Sequence, residues 1–83
     1  MQKIVLEVPD EVLISLKETP IELSRDIRML AAVKFYQMGK LSSGRAAQLA
    51  GISRISFLQS LSMYGVPIFN LPPEELKQDI ENA

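Results

Sequence analysis

Apolar and polar positions alternate at the start of the chain and then recur at helical spacing. The alternation predicts a half-buried strand over residues 4–8, ended by Pro9, and its inward-facing residues are Ile4, Leu6 and Val8. The helical spacing that follows predicts a short helix over residues 10–17, with acidic residues in its first turn, where the helix dipole favours them. The chain is therefore expected to begin with a strand and a helix.

The clearest local signal is the start of a longer second helix. Thr19-Pro20-Ile21-Glu22 combines a capping-box pair with proline at the first helical position, where its missing N–H has no cost. The helix is predicted to continue through residues 29–36, which are apolar on most sides, and Gly39 supplies the left-handed residue that ends it. We expect this helix to be central or to lie at a dimer interface.

The second half of the chain predicts three more helices and an extended segment. Two short helices are expected over residues 43–50 and 53–64. Because Pro67 disfavours a helical conformation for the preceding residue and cannot donate to a ladder, residues 66–69 are predicted as an edge strand that pairs with residues 4–8 of the same or a partner chain. A last acidic helix is predicted over residues 74–81.

The segment from Leu41 to Leu61 has the features of a helix-turn-helix unit. Such a unit needs small residues where two short helices touch, a turn residue that tolerates positive φ, and apolar residues that lock the second helix. The corresponding residues are Ala46, Ala47 and Ala50 for the contact, Gly51 to open the turn, Ile52 to plug it, Ser53 as the cap, and Phe57 and Leu61 for the core. A purely structural helical hairpin is the alternative, since these residue types are common in hairpins.

A helical wheel of about 100° per residue separates the two sides of the second helix of this unit. Phe57, Leu61 and Tyr64 fall on the buried side, opposite Ile55 and Gln59. In helix-turn-helix proteins the second helix enters the major groove of DNA with its N-terminal residues leading, so the predicted contacts are Ser53, Arg54, Ile55, Ser56 and Gln59. Additional contacts are predicted near the start of the first helix, from Lys40, Ser43 and Arg45.

Two of these residues have a second interpretation. Gln59 fits the bidentate pair that glutamine forms with adenine, although an exposed glutamine is more often only solvated. Arg54 lies beside the buried side of the wheel, so it either runs along the first helix or reaches a phosphate rather than a base. The predicted DNA-facing surface thus carries little positive charge, and binding would depend on Lys40 and Arg45, doubled in a dimer.

Composition limits the other functions that the chain is expected to perform. Its 83 residues suit a single domain over residues 1–83. Within it, we expect residues 1–40 to mediate dimerisation, residues 41–64 to form the helix-turn-helix unit, and residues 65–83 to form an extended segment with an acidic tail. The absence of histidine and cysteine removes the commonest metal ligands, general base and thiol nucleophile, so no enzyme, cofactor or metal is expected. No signal peptide or membrane span is indicated, which predicts a cytoplasmic protein.

The net charge of −1 hides a segregation along the chain. Residues 25–64 contain Asp26 as their only acidic residue, against Arg25, Arg28, Lys34, Lys40, Arg45 and Arg54. The flanking residues 1–24 and 65–83 are acidic. A basic centre permits contact with phosphates without demonstrating it.

The run AVKFYQMGKLSSGRAAQLAGISRISFL, residues 32–58, resembles the centre of the uncharacterised protein family 0175, and Tyr64-Gly65-Val66-Pro67 and the acidic tail extend the resemblance. The resemblance implies a small prokaryotic helix-turn-helix protein, proposed as the antitoxin of a toxin-antitoxin pair and often encoded beside a PIN-domain ribonuclease. Ser56 departs from the family pattern, in which an acidic residue usually precedes the position of Phe57.

The fold class expected from all these features is mainly α, a helix-turn-helix core of three to five helices with short N-terminal and C-terminal edge strands. The expected function is a homodimeric transcriptional regulator that binds double-stranded DNA, and as an antitoxin it would also bind a nuclease toxin. The tail residues expected to contact that partner are Leu76 and Ile80, as apolar anchors, with Glu74 and Glu75. The tail has a structural alternative, in which its apolar residues cover the protein's own strand.

Two other binding functions are weighed against this expectation. The first is a protein-interaction module that does not bind DNA, which the acidic tail and near-neutral charge favour. The second is a ribbon-helix-helix repressor, since the chain begins with a strand and two helices. Val5 and Glu7 would then face the groove, and that face is poorly suited to DNA.

Overall fold

The computed structural model describes residues 1–66, and these residues are mainly α-helical. The helices are α1 (Asp10–Leu16), α2 (Pro20–Gln37), α3 (Ser43–Ala50) and α4 (Arg54–Ser60), followed by a 3₁₀ helix (Leu61–Tyr64). The mainly α fold class is therefore confirmed for this part of the chain. The predicted tail helix over residues 74–81 and all but the first residue of the predicted strand over 66–69 lie outside the described residues.

Both predicted ends of the long helix α2 are confirmed. At its start, the Glu22 N–H donates to Thr19 Oγ1 at 3.2 Å and the Thr19 N–H donates to Glu22 Oε1 at 3.1 Å, which is the capping box. At its end, Gly39 adopts a φ of 75° and the Lys40 N–H donates to the Phe35 carbonyl at 2.9 Å. None of the helices in residues 1–66 has the length and apolar character needed to cross a membrane.

The core lies where α2, α3 and α4 meet. Ala32 of α2 and Ala46 and Ala47 of α3 are buried, and their small side chains allow the two helix backbones to approach closely. The larger core residues are Val33 of α2 and, from the end of the described chain, Phe57, Leu61 and Val66. Burial of Phe57 and Leu61 was predicted from the helical wheel and is confirmed.

The predicted strand over residues 4–8 is not formed within the described chain. Residues 1–9 have no regular secondary structure, and Ile4, Val5 and Leu6 are exposed. The physical reason is that a strand exists only through hydrogen bonds to a neighbouring strand, and no strand is present in residues 1–66.

The predicted continuous helix over residues 53–64 was too long. The α-helix ends at Ser60 and tightens into the 3₁₀ helix, which Gly65 closes with a φ of 74°. The Val66 N–H then donates to the Leu61 carbonyl at 3.0 Å, which places Val66 in the core. A 3₁₀ helix has about three residues per turn, so the α-helical wheel does not apply to Tyr64, which is exposed rather than buried.

Glu18, in the loop between α1 and α2, lies against the carboxylate of Asp26 on α2. The Lys17 residue that ends α1 has a φ of 56°, and Glu18 follows it directly. A hydrogen bond with Asp26 is the main reason why the pKa of Glu18 is raised, with desolvation and the charges of Asp26 and Glu22 adding to it. The folded protein therefore holds the Glu18 proton more tightly than the unfolded chain does.

A raised pKa gives stability at low pH that disappears as pH rises through the raised value. We therefore expect Glu18→Gln, which keeps hydrogen-bonding capacity without the charge, to raise Tm slightly at pH 7 and to leave Tm nearly unchanged at pH 4. Thermal melts followed by circular dichroism at the two pH values measure this difference. Glu11→Gln, at an exposed position on α1, is the matched control. An equal rise in Tm for both variants would show that the Glu18–Asp26 contact is not the cause.

Candidate nucleic-acid interface

The turn between α3 and α4 consists of three residues, Gly51, Ile52 and Ser53. Gly51 has a φ of 78°, and the N–H groups of Gly51 and Ile52 donate to the Ala47 carbonyl at 2.9 and 3.1 Å. The Ser53 Oγ then accepts the Ser56 N–H at 3.1 Å and so caps α4. Two short helices joined by three residues with a left-handed glycine form the arrangement expected of a helix-turn-helix unit.

Arg28 fixes this turn from the side of α2. Its Nε donates to the Leu49 carbonyl at 2.8 Å, in the last turn of α3, where helix carbonyls lack partners within the helix. Its guanidinium also covers Gly51 so closely that a Cβ on that glycine would lie 3.2 Å from Arg28 Nη2. From the sequence, Arg28 is only one residue of the basic centre, because nothing local indicates its contact with Leu49, 21 positions away.

The outward side of α4 presents short polar and apolar groups without charge. Ile55, Ser56 and Gln59 are exposed, and Ile55 has 61% of its surface accessible. The Ser53 hydroxyl donates to Ser56 Oγ at 2.9 Å, so Ser56 accepts that bond and can still donate its own proton to a ligand. The serine at the position where the family pattern has an acid therefore keeps a bond to the capping residue and adds no negative charge to this side.

The predicted basic residues are in three different situations. Lys40 is exposed after the end of α2, and Arg45 is exposed on α3, where its Nη1 donates to Gln48 Oε1 at 2.9 Å. That bond uses one of the five donors of the guanidinium, so Arg45 can still bind a phosphate. Arg54 is half-buried and its Nε is shielded from solvent with no hydrogen-bond partner in residues 1–66.

Two sequence expectations about individual residues were wrong. Ser43 was predicted to contact DNA, but it has no accessible surface, because the first turn of α3 packs into the core. Ser42, just before it, is the residue whose Oγ caps α3 by accepting the Arg45 N–H at 3.2 Å. Ile52 was predicted to plug the turn, yet it is exposed, since the backbone bonds of the turn and the Arg28 side chain fix the turn instead.

The charge around the unit is uniform in sign. From Ile27 to the last described residue, Val66, the chain contains no aspartate or glutamate. Within the described residues there is also no cluster of three histidine, cysteine, aspartate or glutamate side chains that would hold a metal ion. A polyanion approaching this part of the molecule would therefore meet no side-chain carboxylate of α3 or α4.

The contact between Gly51 and Arg28 can be tested by a double-mutant cycle. We expect Gly51→Ala to destabilise the protein by about 1–2 kcal/mol, because an alanine at positive φ is strained. Arg28→Met keeps the apolar stem but loses the bond to the Leu49 carbonyl, which we expect to cost about 1 kcal/mol. In the double variant the crowding between the new Cβ and the guanidinium is absent. Its loss in free energy of unfolding should therefore be smaller than the sum of the losses in the two single variants.

Urea unfolding of the two single variants and the double variant gives the three free energies. Gly39→Ala is the matched control for strain, since Gly39 has a similar φ of 75° but no atom within 4 Å of its Cβ position. Strict additivity of Gly51→Ala and Arg28→Met would contradict the proposed contact.

Comparison with known proteins places the whole chain in one family. Residues 1–83 match the family described as "Uncharacterised protein family (UPF0175)". A UPF0175 protein of Aeropyrum pernix is 38% identical over 82 residues, which cover 99% of this chain and 86% of the relative. A UPF0175 protein of Archaeoglobus fulgidus is 37% identical over 59 residues, covering 71% of this chain and 67% of the relative. No solved structure gives a significant match. The resemblance noted in the sequence is thus confirmed, and the chain belongs to the uncharacterised protein family UPF0175.

Proposed function

We propose that this protein is a transcriptional regulator that binds double-stranded DNA through the outward side of α4. The observation that carries the proposal is the α3–turn–α4 unit, in which Gly51 and Phe57 hold α4 against the core while Ile55, Ser56 and Gln59 stay exposed. In helix-turn-helix proteins the corresponding helix lies in the major groove with its N-terminal residues against the base edges.

The exposed side chains suit contacts with base edges. Gln59 can pair with the N6 and N7 groups of adenine, the Ser56 hydroxyl can donate to or accept from several bases, and Ile55 offers an apolar contact for a thymine methyl group. This combination favours A·T base pairs in the contacted half-site. The absence of carboxylates between Ile27 and Val66 supports the proposal, because a carboxylate near the groove would repel the phosphates.

Affinity in this proposal comes from a small number of cations. Lys40 and Arg45 are exposed and placed before and on α3, and Arg54 is half-buried in the first turn of α4. Since the electrostatic part of affinity grows with each neutralised phosphate, three cations in one copy give weak binding and two copies on adjacent half-sites give considerably more. The proposed regulator therefore acts as a homodimer.

Titration of the protein against a duplex from its own upstream region, at two salt concentrations, tests the proposal. We expect a shifted band that weakens as salt increases, because bound phosphates release counterions. Absence of a salt-sensitive complex with this duplex and with unrelated duplexes would refute DNA binding.

Two substitutions separate base contacts from phosphate contacts. We expect Gln59→Ala to reduce the preference for the cognate duplex by roughly tenfold. Arg45→Ala should weaken binding to every duplex and reduce the salt slope by about one per copy. The matched control is Arg25→Ala, which removes an exposed arginine of α2 outside the α3–turn–α4 unit. If the control lowers affinity as much as Arg45→Ala, the basic centre acts without the specific placement proposed here.

We propose as a second function that the protein also binds a nuclease and so acts as an antitoxin. The charge segregation supports this function, since residues 74–81 carry four carboxylates while α3 and α4 carry none. An acidic helix with two apolar anchors, Leu76 and Ile80, would suit the basic, metal-binding cleft of a nuclease. These tail residues, with Glu74 and Glu75, lie outside the described residues, so the support comes from the sequence alone.

A chain truncated after Phe69 separates the two functions. We expect it to keep the salt-sensitive DNA complex and to lose co-purification with the product of the neighbouring gene. The full-length chain with Glu74→Gln and Glu75→Gln is the milder variant, and it should weaken that co-purification without affecting DNA binding. Retention of the partner by the truncated chain would rule out the tail as its binding site.

A further inference from the structure

We propose that residues 3–7 pair with the same residues of a second copy of this chain, forming a two-stranded antiparallel ribbon with its twofold axis at Val5. This inference goes beyond the proposed function and does not rest on it, because it concerns the N-terminal half of the molecule. It names the interface through which two copies associate.

The N-terminal segment leaves an extended apolar surface uncovered. Ile4, Val5 and Leu6 expose 82%, 77% and 63% of their surface, although residues 4–8 have the pattern of a half-buried strand with Ile4 and Leu6 on its inward face. The backbone groups of residues 1–8 form no hydrogen bond with any other part of residues 1–66. Both the side chains and the backbone of this segment are therefore available to an added strand.

The surface continues into a groove between the segment and the first two helices. The groove has a volume of about 750 Å³, and its apolar lining includes Ile4, Leu6, Val8, Leu13, Leu23 and Ile27. No residue of α1 is buried, and of these lining residues only Leu23 is. A second strand laid beside the first would cover this groove with the same apolar residues from the partner.

Charge decides that the added strand is a second copy in one particular register. Antiparallel pairing centred on Val5 places Lys3 opposite the partner's Glu7 and Glu7 opposite the partner's Lys3, with both pairs on the face of the ribbon opposite to Ile4 and Leu6. It also places Ile4 opposite the partner's Leu6, on the side that faces the groove. Parallel, in-register pairing would instead set Lys3 against the partner's Lys3.

Other antiparallel registers satisfy the sequence less well. A slide that keeps Ile4 and Leu6 on the same side moves one strand by two residues, because side chains alternate between the two faces. In one direction Lys3 then lies opposite the partner's Val5, and in the other direction Glu7 does. Either slide leaves both charges without a partner across the ribbon. The ribbon centred on Val5 is the register in which apolar and charged positions are both complementary.

Cysteine cross-linking of the full chain tests the register directly, since the natural sequence contains no cysteine. Residues directly opposite in an antiparallel pair have Cα atoms about 4.5–5.5 Å apart, which suits a disulfide. Val5→Cys should therefore form covalent dimers under mild oxidation. Gln2→Cys is the matched control, because its two copies would be separated by six residues along the ribbon, about 20 Å. Equal cross-linking of both variants, or none in Val5→Cys, would overturn the proposal.

Charge exchange provides a second measurement that does not depend on oxidation. Lys3→Glu and Glu7→Lys each set like charges opposite one another, so each should weaken dimerisation in sedimentation equilibrium by roughly tenfold. The double exchange Lys3→Glu with Glu7→Lys restores both pairs and should restore the dimer. A wild-type chain that sediments as a monomer, or a double exchange as weak as the single variants, would refute the ribbon. Circular dichroism of each variant shows whether it keeps its helices.

Discussion

The left-handed conformation at Gly51 is the constraint on which the direction of α4 depends. Because Gly51 ends α3 with positive φ, the Ala47 carbonyl can accept two N–H groups and the chain can begin a new helix after only three residues. Phe57 then reaches the core beside Tyr36 of α2, where the two rings pack edge to face with their centroids 5.7 Å apart. Once Phe57 is buried, the opposite side of α4 has to face outward.

Small residues dominate the contact between α2 and α3. Ala32, Ala46 and Ala47 keep the α2 and α3 backbones close enough for Arg28 to reach from α2 to the Leu49 carbonyl. That bond and the cover that the guanidinium gives to Gly51 connect the long helix to the turn. An arginine that sequence reasoning would assign to a polyanion is thus used to hold the fold, and fewer cations than the composition suggests are left for DNA.

Local chemistry made most of the helical architecture predictable. The capping box at Thr19, the glycine at position 39 and the serine cap at position 53 each act within a few residues, and the structure contains all three. Features that depend on distant contacts were missed, and these include the Arg28 bond and the complete burial of Ser43. The 3₁₀ helix after Ser60 was missed because apolar spacing does not distinguish two closely related helix types over four residues.

The two halves of the described chain differ in how much of their apolar surface a single copy buries. Residues 27–66 bury a contiguous core, whereas residues 1–16 leave most of their apolar side chains exposed and α1 has no buried residue. The ribbon proposed for residues 3–7 would give this predicted strand its partner in a second copy. In the proposed dimer, the N-terminal segments of two copies pair with each other, so that one assembly contains two α4 helices. Each α4 helix would then offer a few uncharged contacts to DNA.

Amide chemical-shift mapping shows whether the outward side of α4 contacts DNA. The isotope-labelled full chain is titrated with a duplex from its own upstream region, and shifts are followed residue by residue. We expect the largest shifts over residues 53–59 and near Lys40 and Arg45, with little change over residues 10–16. Shifts confined to residues 67–83, or an absence of shifts over residues 53–59 while the duplex is bound, would contradict this expectation.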